Sequence, residues 1–162
     1  PHGTDLSALV PLVPTFASYA MSFVYLGIYW NNHHHLFQAV DRISGSIMWA
    51  NLHLLFWLSL VPFVTEWMGA NHFASLPLAA YGVVLLLSAV SFTILVRAII
   101  AHEGPGSKLA MAVGRDRKGS LSLLLYTVAI PLAFVQRLAA GGLYVMVALI
   151  WLIPDRRIEK NL

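Results

Sequence analysis

Five stretches of this 162-residue chain carry no Asp, Glu, Lys or Arg: those between Asp5 and Asp41, Arg42 and Glu66, Glu66 and Arg97, Lys118 and Arg137, and Arg137 and Asp155. A hydrocarbon layer roughly 30 Å thick needs about 20 apolar residues per helix. The intervals therefore predict an all-α, polytopic helical membrane protein with crossings at about residues 6–30, 43–67, 76–100, 120–136 and 143–154, within a single transmembrane domain over 1–162. Composition agrees: 59% of residues are hydrophobic and 10% charged, against about 25% charged in a typical soluble domain. Cysteine is absent, which excludes disulfide scaffolds, thiol catalysis and Cys-based metal centres.

Pro11 and Pro14 make the opening turns of the first span irregular or interfacial. Tyr19, Tyr25, Tyr29 and Trp30 in that span suit the water boundary. Pro131 places a possible kink in the fourth span, Gly141-Gly142 with Arg137 predicts the hairpin between the last two, and Pro154-Asp155 ends the fifth.

Orientation follows from the cations. Arg42 in the loop Asn31–Arg42, Arg97, then Lys108, Arg115, Arg117 and Lys118 in the loop His102–Gly119, and Arg156, Arg157 and Lys160 in the tail put nine of ten basic residues on one side, with Arg137 opposite. Positive loops stay in the cytosol. A multi-pass protein of the plasma membrane is expected, with a cytoplasmic C-terminus and residue 1 outside. The confinement of the cations to a few loops reports this orientation and gives no sign of nucleic-acid binding. The chain opens Pro-His-Gly without an initiator Met, so a preceding helix is expected to be missing; restoring it gives six spans and two cytosolic ends.

Polar residues inside spans are costly in lipid and face helices or water. Asn51 and His53 lie near the middle of the second span, with Trp49 and Trp57 four residues either side of His53. They serve either as bonds between helices, worth about 0.6 kcal/mol each, or as a network holding a pore element or relaying protons. In the run Trp30-Asn31-Asn32-His33-His34-His35, three successive imidazoles point roughly 100° apart on a helix, which favours hydrogen-bonding or interfacial roles over metal ligation; no metal is expected. Imidazole is the side chain suited to sensing pH in the physiological range, which keeps a pH-sensing role open. Ala17, Ser18, Ala20, Ser22 and Gly27 allow close helix approach, and Ser88, Ser91, Ser122 and Thr127 can bond their own backbone carbonyls.

No Asp, Glu or Lys is expected inside a span, so the coupling carboxylate of a pump or proton-driven carrier is missing. Nucleotide-binding, Ser-nucleophile and HExxH motifs are absent, and the chain is not expected to be an enzyme. The Thr-Val-Gly-Tyr-Gly filter of ordinary tetrameric potassium channels is absent too.

Ser22-Phe23-Val24-Tyr25-Leu26-Gly27-Ile28-Tyr29-Trp30 with His33-His34-His35-Leu36-Phe37, and Asn51-Leu52-His53-Leu54-Leu55-Phe56 continuing to Pro62-Phe63-Val64-Thr65, resemble the second and third helices of the transmembrane protein 175 family of endolysosomal potassium channels and their bacterial relatives. The resemblance is specific over about residues 19–65; the later spans fit by length and order. It implies six helices per repeat, a homotetramer around a central pore, passive and modestly selective conduction of potassium, and no cofactor. It places an apolar constriction and an Arg-x-x-x-Phe-Ser-Asp signature on a first helix that these residues do not contain. It also implies that Trp30, His33, His34 and Asn51, with His53 less clearly, support that helix through polar contacts. Two readings compete with the channel. One is a haem-binding redox protein using two of His33, His34 and His53, whose depths in the membrane disagree. The other is an assembly subunit without transport.

Overall fold

The computed structural model describes residues 6–38, 40, 42–113 and 116–152. A 3-10 segment at Leu6–Leu12 leads into α1 (Val13–Gln38), followed by α2 (Gly45–Ser59), α3 (Val61–Ala70), α4 (Ser75–Glu103), the short α5 (Lys108–Val113), α6 (Arg117–Val135) and α7 (Arg137–Leu152). No strand occurs among the described residues. Leu9–Gln38, Gly45–Ala70, Ser75–Glu103 and Lys118–Val135 are long and apolar enough to cross a membrane, and Arg137–Leu152 is apolar but shorter.

Local chemistry explains the boundaries. Ser44 caps α2, its hydroxyl accepting from the Ile47 N–H at 3.4 Å. Pro62 has no N–H to offer the turn behind it, so the second crossing breaks at Leu60, whose N–H closes on Trp57 O at 3.2 Å, and resumes as α3. Gly104, at φ 94°, stops α4. Between α3 and α4, His72 and Phe73 both take positive φ (49° and 57°), and Phe73 N–H reaches back to Met68 O at 2.9 Å. Neither side chain favours that region; the carbonyl it satisfies and the tightness of the turn hold it there.

Successive crossings run antiparallel. His33 of α1 meets Asn51 of α2, and Trp151 Nε1 of α7 donates to Ser122 Oγ of α6 at 2.8 Å. Arg42, Arg97 and Lys118 therefore lie towards one end and Arg137 at the other, while Arg115, Arg156, Arg157 and Lys160 fall outside the described residues. Central α4 packs against α2, α3, α6 and α7. One apolar cluster joins Leu36, Ile47, Leu54, Leu95 and Ile99. A second, around Val61, Met68, Tyr81, Leu85, Ala133 and Tyr144, binds α1, α3, α4, α6 and α7.

Four expectations are corrected. First, α1 does not end near Trp30: with no Gly or Pro between Asn31 and Gln38 it continues, so the His triplet is helical rather than part of a loop. Second, the last hairpin turns at Gln136 alone (φ −145°, ψ 89°), and Gly141-Gly142 lie inside α7; an extended residue breaks the helix more sharply than glycines that α7 accommodates. The expected stop at Pro154-Asp155 lies outside the described residues. Third, Tyr25 is no boundary residue. It is 3% exposed, at the centre of the bundle. Fourth, Glu66 does fall within a crossing, exposed and four residues from the end of α3, where a carboxylate can reach the interface.

Ser18 and Ser22 are buried, but Gly27 has no atom within 4 Å of a built Cβ and makes no close approach within the chain. The hydroxyls of Ser88, Ser91, Ser122 and Thr127 donate to carbonyls four residues back, at 2.7–2.8 Å.

Tyrosines dominate the middle of the bundle. The Tyr25 hydroxyl donates to the Tyr144 carbonyl, and that of Tyr144 to Leu78 O at 3.3 Å. Tyr81 packs edge-on to Tyr25 and Tyr144, with ring centroids 5.9 and 5.4 Å away, and Tyr126 lies 6.2 Å from Tyr144. Because the Tyr25 bond joins the first helix to the last, Tyr25→Phe is expected to cost about 0.5–1.5 kcal/mol. Thermal unfolding in detergent measures it; an unchanged midpoint would refute that role for the bond.

Candidate functional site

Continuation of α1 through the His triplet fans the three rings to different partners. His33 Nε2 lies 2.7 Å from Asn51 Oδ1 on α2, so the ring nitrogen donates and bridges two crossings. His33 also packs on Phe37, one turn on, with centroids 4.6 Å apart. His34 turns outward, stacking on Trp30 at 5.4 Å and 10°, while Gln38 Nε2 donates to its Nε2 at 3.0 Å. Trp30, His34 and Gln38 share one exposed stripe by their four-residue spacing. His35 places Nδ1 in the interior without a partner among the described residues.

On α2, His53 is separate from the His33–Asn51 bridge. It is exposed and accepts from Trp57 Nε1 at 3.0 Å, one turn on. Trp49, 74% exposed, extends that stripe. Four of the five expected residues pair with one another, His33 with Asn51 and Trp30 with His34, while His53 pairs with Trp57, which was not among them. All five lie on α1 and α2. Asn51 and His33 are half-buried; Trp30, His34 and His53 are open to the surroundings of the subunit. An imidazole and an indole at membrane depth, bonded only to each other, form a face that hydrocarbon tolerates poorly.

The residues missed from sequence are the interior tyrosines and Gly82. Tyr81-Gly82 in the second turn of α4 was the available signal, since a ring beside a residue without Cβ marks a close crossing. The late start expected for the last span hid Tyr144, which lies in the middle of α7 rather than at its edge.

A bundle of long apolar helices, with buried polar bridges between crossings and an uncovered polar-aromatic face, defines an α-helical polytopic membrane protein. Residues 1–62 match the family described as "Endosomal/lysosomal potassium channel TMEM175". A potassium channel of Chryseobacterium sp. (strain P1-3) is 53% identical over all 162 residues, which cover 84% of that protein. A potassium channel of Streptomyces collinus is 32% identical over 83 residues, 49% of this chain and 40% of its own length. The chain belongs to the endosomal/lysosomal potassium channel TMEM175 family, whose members are channels and not enzymes. No solved structure matches it.

Proposed function

We propose that this chain is the subunit of a homotetrameric channel of the bacterial plasma membrane that passes potassium passively through a central pore narrowed by apolar side chains. The observation that carries the reading is 53% identity, across the whole chain, to a protein named a potassium channel. The uncovered face of α1 and α2 supports assembly: Trp30, His34, Trp49 and His53 need protein or water against them, and a central pore element supplies both. Trp30, His33, His34, Asn51 and His53 then stand behind that element as hydrogen-bonding and stacking support. The basic end of the bundle faces the cytosol by the positive-inside rule. Conduction needs no cofactor, only the permeant ion. The carboxylates of the crossings support a passive mechanism, because Glu66 and Glu103 sit near helix ends and neither lies in the core.

Native mass spectrometry of the full-length protein released from detergent is expected to show a species of four subunits. A monomer or dimer as the only species would contradict the assembly.

A further inference from the structure

Where α1, α4, α6 and α7 converge, at the end of the bundle nearest the α4–α6 connection, lies a cavity of about 40 Å³, room for about two or three waters. It is separate from the α1–α2 face. Three aromatic rings form one side in series: Tyr29 meets Phe92 at 6.2 Å and 68°, and Phe92 meets Trp151 at 6.5 Å and 67°. Asp116 also lines the cavity and is exposed, so the space meets solvent at the start of α6.

Chemistry of the lining, more than its size, decides whether such a space is wet. Cavities that stay dry are apolar throughout, and a held water needs about two to four polar partners. This lining supplies both donors and acceptors. The Asn32 amide gives one N–H to Ile28 O at 2.8 Å, which leaves its second N–H and its oxygen. The Tyr29 hydroxyl makes no hydrogen bond to another described residue, and Tyr126 brings a hydroxyl that can donate or accept. Ser122 Oγ donates to Lys118 O and receives the Trp151 Nε1 proton, both at 2.8 Å, and keeps a lone pair. Thr93 Oγ1 donates to Ala89 O at 3.0 Å and has its lone pairs left.

One turn earlier, Tyr25 ties α1 to α7 directly through the Tyr144 carbonyl. At Tyr29 and Asn32 no direct hydrogen bond joins α1 to α4, α6 or α7 among the described residues. We infer that this cavity is an internal hydration site, whose ordered waters link Tyr29 and Asn32 of α1 to Thr93 of α4 and to Ser122 and Tyr126 of α6. A bridging water is nearly as good a partner as a direct hydrogen bond, whereas donors left bare at this depth are costly. The waters thus make a second tie between α1 and the rest of the bundle, and they exchange with solvent past Asp116.

Hydroxyl-radical footprinting by X-ray radiolysis of the full-length protein in detergent micelles, read by mass spectrometry, tests the site. Radicals formed from held water modify the side chains around it. Tyr29 and Trp151 are expected to be modified several-fold faster than Tyr81, whose hydroxyl is sealed in the core without a partner. Ala148→Val, which adds two methyl groups to the lining from α7, is expected to displace the waters and slow both modifications several-fold. It is also expected to lower the melting temperature by about 2–4 °C, because it strands donors that the waters had satisfied. Ala89→Val fills the same space from α4 and serves where the first variant fails to fold. A dry cavity predicts the reverse, since filling an apolar void stabilises. Modification of Tyr29 and Trp151 no faster than that of Tyr81, rates unchanged by filling, or a raised melting temperature in a filled variant would each overturn the assignment.

Discussion

Gly82→Ala is expected to destabilise the bundle by about 1–3 kcal/mol, although the exchange adds one methyl and favours a helix by propensity. A Cβ on Gly82 would lie inside contact distance of the Tyr144 hydroxyl, 2.7 Å from its Cζ and 3.0 Å from Ile130 Cγ1. A phenol at a surface would swing away. Tyr144 cannot do so cheaply: its hydroxyl is bonded to Leu78 O, its own carbonyl receives the Tyr25 hydroxyl, and the rings of Tyr81 and Tyr126 flank it. Moving the ring therefore disturbs contacts of α1, α4 and α6 together. Removing the hydroxyl relieves the worst of the overlap, so Gly82→Ala combined with Tyr144→Phe should cost less than the sum of the single changes. Gly142→Ala in α7, with nothing within 4 Å of its Cβ, serves as the control and should leave the melting temperature unchanged or raised. Additive losses in the double variant would refute the account of this crossing.

Asn51→Leu is expected to be the most damaging change on the α1–α2 face. It removes the acceptor from His33 Nε2, and an orphaned half-buried donor costs about 1–3 kcal/mol. Under the proposed assembly the loss falls on potassium flux and on the yield of tetramer, since the bridge fixes the face against which the pore element packs. Ser88→Ala is the comparison. Ser88 is the more deeply buried of the two, but its hydroxyl bonds only to Val84 O on its own helix at 2.8 Å, so deletion leaves no stranded partner on another crossing. Flux from reconstituted vesicles and tetramer yield are expected to fall sharply in Asn51→Leu and to stay near the unaltered values in Ser88→Ala. Equal effects of the two substitutions would contradict the bridging role.

Long charge-free intervals made the helical membrane fold legible from the sequence, because desolvating a charge costs far more than any packing gain inside lipid. The same reasoning misplaced element ends. Nothing in Asn31–Gln38 is incompatible with helix, so a shift from apolar to polar residues marked a change of surroundings and not the end of α1. Gly141-Gly142 resembled a turn by composition, yet Gln136 alone turns the chain, and helix propensity does not register a single extended residue. The His33–Asn51 pair was legible as two costly polar groups on neighbouring spans. That His53 bonds its own helix through Trp57 was also within reach of the four-residue spacing. The tyrosine core was not, because which rings meet depends on the relative rotation of α1, α4, α6 and α7, a property of packing that no single span carries.

Current recorded across a planar bilayer holding the full-length protein, with potassium chloride at unequal concentrations on the two sides, bears most directly on passive potassium conduction. The predicted result is a protein-dependent current whose reversal potential shifts towards the potassium equilibrium value with no proton gradient imposed. A bilayer no more conductive than one without protein, or potassium movement that appears only when a proton gradient drives it, would contradict the account.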